Sequence, residues 1–284
     1  MYNNTELRNN DIMITKNILK YTQQILLEKK YSAKTITTYL FYLKKYLDFL
    51  ENKKLIDETK SVEKFLNYQK ENNNSNQTFN LILNILNFFY TNVHTIVDKL
   101  DIKYKKVTKQ KIQTLTKQQI IKILDSTKNE KHFLIFALSY GSGLRLNEIT
   151  TLKIKNIDLK KNIIKICNKQ GREVRKTILP ENLKEKIEKF IINKKQTQLF
   201  FLNKAGKQLS ERSLQIAFTR ALIRAKIKKQ TSFQVLRHSF TTHLLESGIN
   251  IESLQQMLGH KNIRTTKKYK KNTHYNLTEI KSPL

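Results

Sequence analysis

Apolar residues recur at helical spacing along most of this 284-residue chain, and this periodicity favours a mainly helical fold. Two such sets stand out in the first hundred residues, one after a potential helix cap at Ser32 and one after the polar run 71–77. Their members are Ile36, Tyr39, Leu40, Leu43, Leu47 and Leu50, then Phe79, Ile82, Leu83, Leu86, Phe89 and Tyr90. Weaker helical patterns at 15–29 and 61–70 complete a predicted four-helix unit. This unit shows no catalytic constellation, so we expect a binding module.

The segment from Asp101 to Thr114 interrupts the helical pattern. It reads DIKYKKVTKQKIQT, contains five lysines and lacks an apolar stripe, which is typical of an exposed basic connection. We therefore predict a helical N-terminal domain over 1–100, a basic linker over 101–114 that lies against phosphate, and a second domain over 115–284. Two domains agree with the length, because single domains commonly hold about 100–200 residues.

The second domain combines helices with a short hairpin. Helical patterns at 115–125 and 131–140 are followed by two alternating segments, 162–167 and 174–179. These predict two strands on either side of a turn at 169–171. Helical spacing returns in the last quarter of the chain. The predicted fold class is therefore mainly α with a small β-sheet.

The chain carries a formal net charge of +31, from 54 Lys and Arg against 23 Asp and Glu. A charge of this size favours a polyanionic partner such as nucleic acid. The excess is +7 over residues 1–110 and +24 over 111–284, so the C-terminal part is the stronger anion binder. Eight of the nine arginines lie at or beyond Arg145. Arginine is concentrated where its guanidinium fork can grip a phosphate, which Lys contacts only as a point charge.

The composition disfavours several other classes of protein. The one cysteine, Cys167, cannot form an internal disulfide, and the six histidines show no zinc-like spacing with it. The most apolar segments, 81–90 and 133–140, fall short of the ~20 residues that a membrane helix needs. We expect a cytoplasmic protein without metal, cofactor or membrane attachment.

Three sequence runs carry the signal for function. They read YGSGLRLNEITTLKIKNID over 140–158, LRHSFTTHLL over 236–245 and LGHKNIRTTKKY over 258–269. In order, wording and spacing, the three runs resemble the tyrosine recombinase family, which includes phage integrases and Xer-type enzymes. The resemblance extends over residues 115–269.

The resemblance assigns a role to particular residues of each run. The GLR run places the first phosphate-clamping arginine at Arg145, the LRH run places the second at Arg237, and the LGH run places a histidine at His260. Tyr269, nine residues after that histidine, corresponds to the nucleophile. The hairpin lysine of the family falls on Lys169. The glycines that usually flank it are mostly missing here, so three hairpin neighbours compete for this role, namely Arg172, Arg175 and Lys176.

These residue types suit an attack on a phosphodiester. Cationic groups at the non-bridging oxygens stabilise the charge that grows in the transition state, which fits Arg145 and Arg237. A tyrosine hydroxyl with a pKa of about 10 must lose a proton as it attacks, and the leaving 5′ oxygen must gain one. His260 and Lys169 are the candidates for this proton transfer. The resemblance implies a 3′-phosphotyrosyl intermediate that conserves the bond energy, so that neither ATP nor metal is required.

The second run departs from the family pattern at one position. The family usually has His-x-x-Arg there, whereas this chain reads Gln-Val-Leu-Arg over 234–237. Glutamine donates a hydrogen bond but does not transfer a proton. We therefore expect Gln234 to keep a phosphate contact without an acid–base role, and we expect slower cleavage.

Each assignment has a structural alternative. Tyr269 could be an ordinary surface tyrosine, since its lysine flanks do not single it out. Arg145 and Arg237 could form ion pairs on helix surfaces, Arg145 with Glu148 for example, and we expect Glu148 to brace Arg145 or its helix without taking part in the reaction. His260 could be a helix cap after Gly259.

The resemblance also implies an architecture and partners. A SAM-like N-terminal core-binding domain and an α+β catalytic domain would form a C-shaped clamp on double-stranded DNA. Four subunits, of one recombinase or of two, would exchange strands through a Holliday junction while associated with the nucleoid. The tail over 270–284 would dock either on its own domain or on a neighbouring subunit.

The resemblance leaves the biological role open between two kinds of recombination. A Xer-like enzyme would resolve chromosomes or plasmids, and a mobile-element enzyme would integrate or excise DNA. Two other functions compete with recombination. One is a type IB topoisomerase-like enzyme that relaxes arbitrary DNA, and the other is a catalytically weak DNA-binding relative, which Gln234 makes conceivable.

Overall fold

The computed structural model describes residues 4–55, 59–72, 74–94, 100–107, 112–168, 170–229, 231–259 and 282–284. The chain divides into two compact units, Met1–Gln110 and Lys111–Leu284, which we call unit 1 and unit 2. None of the helices in the described ranges is both long enough and apolar enough to cross a membrane.

The described residues of unit 1 form four helices, as the hydrophobic periodicity predicts. They are α1 (Asn4–Glu28), α2 (Ala33–Lys53), α3 (Thr59–Glu71) and α4 (Asn76–Asn92). Ser32 and Ser75 cap α2 and α4, because each hydroxyl accepts a hydrogen bond of 3.2 Å from the backbone N–H three residues later. Apolar faces of α2, α3 and α4 form the main core, in which the hydroxyls of Tyr46 and Tyr90 share a hydrogen bond of 2.6 Å.

Unit 2 is also mainly helical. Its helices are α5 (Lys117–Asp125), α6 (Glu130–Gly141), α7 (Leu146–Thr151), α8 (Lys184–Ile191), α9 (Glu211–Arg224), α10 (Val235–Glu246) and α11 (Ile251–Leu258). Helix α6 is buried over its last eight residues, from Leu134 to Gly141, and α5, α7, α9 and α10 pack against it. The C-terminal end of α6 therefore lies where the neighbouring helices meet.

A three-stranded antiparallel sheet interrupts these helices. Its strands are β1 (Ile157–Asp158), β2 (Ile163–Cys167) and β3 (Glu173–Ile178), in the order β1-β2-β3. Strands β2 and β3 lie within one residue of the two predicted strands. The sequence does not predict β1, because two residues are too few to show an alternation. In β3 the exposed Val174 and Lys176 alternate with the buried Arg175 and Thr177.

Gly143 lies in the connection between α6 and α7 and allows a close approach to α10. Its φ is +61°, and a Cβ at this position would lie 2.4 Å from Cδ1 of Phe240 in α10. Glycine is therefore required both by the backbone conformation and by the contact. This approach brings the start of α7, with Arg145, next to α10, with Arg237.

The described end of the tail, residues 282–284, lies against unit 2. Ser282 Oγ donates a hydrogen bond of 2.8 Å to the carbonyl of Gly141. The hydroxyl of Tyr140 donates one of 3.3 Å to the carbonyl of Pro283, and Leu284 packs against the core. These three residues dock on their own domain, whereas residues 260–281 of the chain lie outside the described part.

Candidate active site

Arg145 stands at the N-terminus of α7 and is held there by Glu148. Its backbone N–H donates a hydrogen bond of 2.7 Å to Oε2 of Glu148, and its Nη1 donates one of 2.9 Å to Oε1. One third of the Arg145 side chain remains exposed. The expected bracing of Arg145 by Glu148 is thus present, and the braced guanidinium keeps a surface open to an incoming anion.

Arg237 lies in the first turn of α10 and is almost completely buried. Its Nη1 donates a hydrogen bond of 2.6 Å to the carbonyl of Gly143, and its Nη2 donates one of 2.7 Å to the carbonyl of Leu258. Oε2 of Glu148 lies 3.8 Å from Nη1. The structure therefore brings together the two arginines that the sequence assigns to one phosphate, with Glu148 between them.

A third arginine, Arg175, joins this cluster from β3. Its Nη2 and Nε donate hydrogen bonds of 2.6 Å and 3.3 Å to the two carboxylate oxygens of Glu148. Its Nη1 donates to the carbonyl of Met257 in α11. The sequence offered Arg175 only as a rival for the hairpin lysine, whereas the structure buries it between Glu148 and the carbonyl of Met257. The signal that identifies it is the strand alternation, which places residue 175 on the same face as the buried Thr177.

Gly259 ends α11 in a conformation that leaves room for Arg175. Its φ is +61°, and its N–H caps the helix by donating to the carbonyls of Gln255 and Gln256. A Cβ on Gly259 would lie 2.5 Å from Cδ of Arg175. The glycine of the LGH run therefore serves both the helix end and the packing of the arginine cluster.

The charges of the cluster are not balanced. Burial alone would raise the pKa of Glu148, but the positive charge of Arg175 and the hydrogen bonds from Arg175 and the Arg145 backbone outweigh it and hold that pKa below its usual value. Burial, and then the charges of Arg175 and Arg145, lower the pKa of Arg237. Guanidinium groups nevertheless stay protonated in proteins. Among the described side chains of this cluster, three positive charges surround one negative charge, which favours the binding of an anion.

Gln234 lies one helical turn before Arg237, at the N-cap position of α10, and is half-buried. Its backbone carbonyl accepts a hydrogen bond of 3.1 Å from the N–H of His238. Burial, and then the charge of Arg237, lower the pKa of His238. Both residues thus stand on the helix turn that carries the buried arginine.

The two remaining rivals for the hairpin lysine occupy exposed positions. Arg172 lies at the turn, where its backbone N–H binds the side chain of Asn168 at 3.0 Å. Lys176 lies on the face of β3 opposite to Arg175, with Nζ 3.6 Å from Oε1 of Glu173. Neither therefore takes part in the buried cluster.

Three predicted site residues lie outside the described part of the chain, namely Lys169, His260 and Tyr269. Their assigned roles stay predictions. Within the ranges that the structure describes, no group of three or more His, Cys, Asp or Glu side chains is placed to hold a metal ion.

Two family matches cover most of the sequence. Residues 113–275 match the Phage integrase family. Residues 18–97 match the family described as the Phage integrase N-terminal SAM-like domain. The first match includes every predicted site residue, and the second includes α2, α3 and α4 of unit 1.

Curated proteins of similar length match along nearly the whole chain. Tyrosine recombinase XerA of Thermococcus onnurineus is 29% identical over 266 residues, which cover 92% of each chain. Tyrosine recombinase XerD of Staphylococcus saprophyticus is 29% identical over 289 residues, which cover 93% of this chain and 95% of that protein.

Solved structures share the fold at lower identity. The XerH site-specific recombinase bound to difH substrate has a TM-score of 0.71 and 20% identity, over 90% of this chain and 81% of that one. The Tn1549 transposon integrase in complex with circular intermediate DNA has a TM-score of 0.71 and 20% identity, over 91% and 96% of the two chains.

Proposed function

The chain belongs to the phage integrase family of tyrosine recombinases, and we propose that Tyr269 is its nucleophile and that Arg145 and Arg237 hold the phosphate that Tyr269 attacks. It is a site-specific recombinase, an enzyme that cleaves and rejoins DNA. The matches also confirm the predicted fold class, in which a SAM-like helical domain precedes a mainly helical catalytic domain with a small sheet.

The unbalanced charge of the arginine cluster is the observation that carries the assignment of the phosphate clamp. Glu148 is already bound by Arg145 and Arg175 and lies beside Arg237, so one carboxylate serves three guanidinium groups. The exposed part of Arg145 offers hydrogen-bond donors in a fixed fork, a geometry that fits two phosphate oxygens. The same positive charge binds the transition state more tightly than the ground state, because negative charge grows on those oxygens during the attack.

The proposed reaction exchanges one phosphate ester for another. Oη of Tyr269 forms a bond to phosphorus while the bond from phosphorus to the 5′ oxygen breaks. His260 and Lys169 are proposed to take the tyrosine proton and to supply a proton to the leaving 5′ oxygen. A 5′ hydroxyl from another strand then attacks the phosphotyrosyl bond and releases the tyrosine. Because the phosphotyrosyl ester conserves the bond energy, rejoining requires no other energy source.

Gln234 is proposed to contact the phosphate through its side-chain amide. Its position one turn before Arg237 and its partial exposure support this contact. An amide donates a hydrogen bond without exchanging a proton in the reaction. Proton transfer at this phosphate would therefore depend on the other assigned residues.

The proposed partner is a double-stranded DNA recombination site. The basic charge of the chain supports a DNA partner, and solved relatives with this fold were bound to DNA. We further propose that two domains clamp the duplex and that four subunits, of this chain alone or with a second recombinase, exchange strands in the nucleoid. The names of the relatives support a Xer-like role in chromosome or plasmid resolution. Neither relaxation of arbitrary DNA nor DNA binding without cleavage is favoured by these relatives.

The proposed nucleophile is tested with a nicked duplex that carries a candidate recombination site. The nick lets a short fragment diffuse away after cleavage, and rejoining is then prevented because that fragment carries the 5′ hydroxyl. The covalent protein–DNA product therefore accumulates, and its yield is measured on a denaturing gel. We expect an adduct with the native protein and none with Tyr269→Phe. Tyr275→Phe, which removes another hydroxyl six residues later, serves as the matched control and should form the adduct. An equal yield from Tyr269→Phe would rule out Tyr269 as the nucleophile.

A further inference from the structure

Four asparagines share one face of α4 and bind the segment that follows the helix in the chain. They are Asn76, Asn80, Asn84 and Asn87. Steps of four, four and three residues place side chains on the same face of a helix. All four bind residues of the segment 100–106, and we call them the asparagine ladder.

Asn84 and Asn87, the C-terminal members of the ladder, bind the beginning of the segment. Oδ1 of Asn87 accepts a hydrogen bond of 2.9 Å from the backbone N–H of Leu100. Oδ1 of Asn84 accepts one of 2.6 Å from the hydroxyl of Tyr104. Leu100 is buried in the core of unit 1, and Ile102 packs against the same core. The segment is therefore anchored at its start by apolar contacts as well as by the ladder.

Asn76 and Asn80, the N-terminal members of the ladder, bind the backbone of two lysines. Asn80 binds Lys105 reciprocally, since its Nδ2 donates to the Lys105 carbonyl at 2.9 Å and its Oδ1 accepts from the Lys105 N–H at 2.8 Å. Nδ2 of Asn76 donates to the carbonyl of Lys106 at 3.0 Å. The amide of Asn80 thus satisfies both backbone groups of one residue, as a neighbouring strand does in a sheet.

The order of these contacts fixes the direction and the extension of the segment. It runs antiparallel to α4, from the Asn87 end to the Asn76 end. The eleven steps from Asn76 to Asn87 along the helix span about 16 Å, and the six steps from residue 100 to residue 106 cover that distance in an extended conformation, at about 3 Å per step. In an extended chain successive side chains point to opposite sides. Ile102 packs against the core and Tyr104 binds Asn84, so these two residues face α4, whereas Lys103 between them is exposed.

The ladder thereby presents three exposed lysines on a fixed backbone. Lys103, Lys105 and Lys106 are all exposed, and Nζ of Lys105 lies 5.3 Å from the ring centroid of Phe79. None of the carboxylates that the structure describes forms an ion pair with these three lysines. We call the three residues the lysine strip. Its charges are therefore available for an external anion.

We propose that the lysine strip is a preformed binding site for the phosphate backbone of duplex DNA and that the asparagine ladder holds it ready. The choice of DNA rests on the proposed function, since a recombinase binds a duplex along its length. Lysines on a flexible backbone lose backbone freedom on binding, whereas lysines whose backbone is already held by hydrogen bonds lose less. The ladder therefore acts on affinity through the lysines, without touching DNA itself.

The strip is tested by the salt dependence of DNA binding with the full chain. The probe is a fluorescent 30-base-pair duplex of arbitrary sequence, because binding to phosphate does not require a recognition sequence. The triple variant Lys103→Ala, Lys105→Ala, Lys106→Ala should weaken binding about tenfold or more at low salt and reduce the slope of log K against log salt by about 2–3, at ~0.9 per lost phosphate contact. The charge-matched control changes Lys60, Lys64 and Lys70, three exposed lysines of α3, to alanine. An unchanged slope in the strip variant, or an equal reduction in the control, would overturn the strip as a site.

The ladder is tested by combining variants. Asn80→Leu has a similar volume but removes both hydrogen bonds to Lys105, so binding should weaken several-fold in the native background. The same substitution should have no further effect in the triple-lysine background, because the ladder acts through the strip. An equal loss in both backgrounds would show that the ladder only supports the fold. If Asn80→Leu is not folded by circular dichroism, the same cycle is run with Asn76→Ala at the exposed end of the ladder.

The outcome of these binding experiments is separate from that of the adduct experiment. Binding of an arbitrary duplex does not involve Tyr269, so a failed strip leaves the nucleophile untouched. Conversely, an absent adduct would contradict the proposed reaction while the salt slopes still report on the strip.

Discussion

Arg175 and Glu148 form an ion pair inside unit 2, with 2.6 Å between Nη2 and Oε2. Only 3% of the arginine side chain and 11% of the glutamate side chain are exposed. The pair connects β3 to α7, and the hydrogen bond from Arg175 to Met257 extends the connection to α11. A strand residue thus fixes both the turn that carries Arg145 and the helix that ends just before position 260.

Arg175→Lys should destabilise the protein and slow cleavage. Lysine keeps the charge but loses the planar fork that binds Glu148 and the Met257 carbonyl together. We expect the free energy of unfolding to fall by about 2 kcal/mol, below the ~3–5 kcal/mol typical of removing one partner from a buried pair. Displacement of Arg145 should slow adduct formation by about ten- to hundredfold. Urea unfolding and the nicked-duplex assay measure the two effects, and Arg220→Lys on the exposed face of α9 should change stability by less than about 0.5 kcal/mol.

Gly259→Ala should cost more stability than Gly248→Ala, although the backbone alone predicts the opposite. Gly248 has φ +91° with open space around its Cα, whereas Gly259 has φ +61°, close to the left-handed conformation that other residues tolerate best. Only at position 259 would the added Cβ meet another group, Cδ of Arg175. We expect a loss of about 1 kcal/mol at position 248 and about 2–3 kcal/mol at position 259 from strain and overpacking. Urea midpoints in the reverse order would contradict the contact.

The GLR and LRH runs single out Arg145 and Arg237, and the structure brings both side chains to Glu148. The helical pattern that returns in the last quarter of the chain predicts the helix that carries Arg237. The sequence named Arg175 only as a rival for the hairpin lysine, because a charged residue in a short strand is usually exposed, and tertiary packing shows that its side chain is buried against Glu148. Helix α8 was not predicted either, since within its eight residues only Ile187 is buried.

The asparagine ladder shows another limit of sequence reasoning. A polar residue on an amphipathic helix is interpreted as solvent-facing, and Asn80 gives no sign in the sequence that it binds Lys105. The segment predicted as a basic linker over 101–114 illustrates the same limit. Its lysines indicate an exposed basic connection, but they give no sign that asparagines of α4 hold part of it by hydrogen bonds.

Glu148 should make the stability of the protein depend on pH below its ordinary pKa of 4.5. The arginine contacts hold the pKa of Glu148 lower in the folded chain than in the unfolded chain, so the folded state binds fewer protons. The stabilising contribution is therefore complete above pH 4.5 and is lost as the pH falls through the lower pKa of the folded state.

This contribution is measured by urea unfolding of the native protein and Glu148→Gln between pH 7 and pH 3.5. The native protein should be the more stable at pH 7, and the difference should shrink as the pH falls below 4.5. Glu185→Gln, which removes an exposed carboxylate paired with Lys189, should show little difference from the native protein at any pH. A constant difference for Glu148→Gln would mean that its charge does not stabilise the arginine cluster.

Gln234→His should increase the rate of cleavage, because it supplies a group that exchanges protons one turn before Arg237. A positioned acid–base group contributes about 10²–10⁴-fold in favourable cases. We expect about tenfold, since the pKa of an imidazole beside Arg237 falls below its ordinary value, as it does for His238. The rate of adduct formation between pH 5 and pH 9 should gain an inflection below pH 6.5 that the native protein lacks.

Two further variants serve as controls for Gln234→His. Gln118→His on the exposed face of α5 controls for adding a histidine. Gln234→Leu removes the amide donor and should cleave more slowly than the native protein. If Gln234→Leu matches the native rate, the amide does not contact the phosphate, and a faster Gln234→His would then reflect the added proton transfer alone.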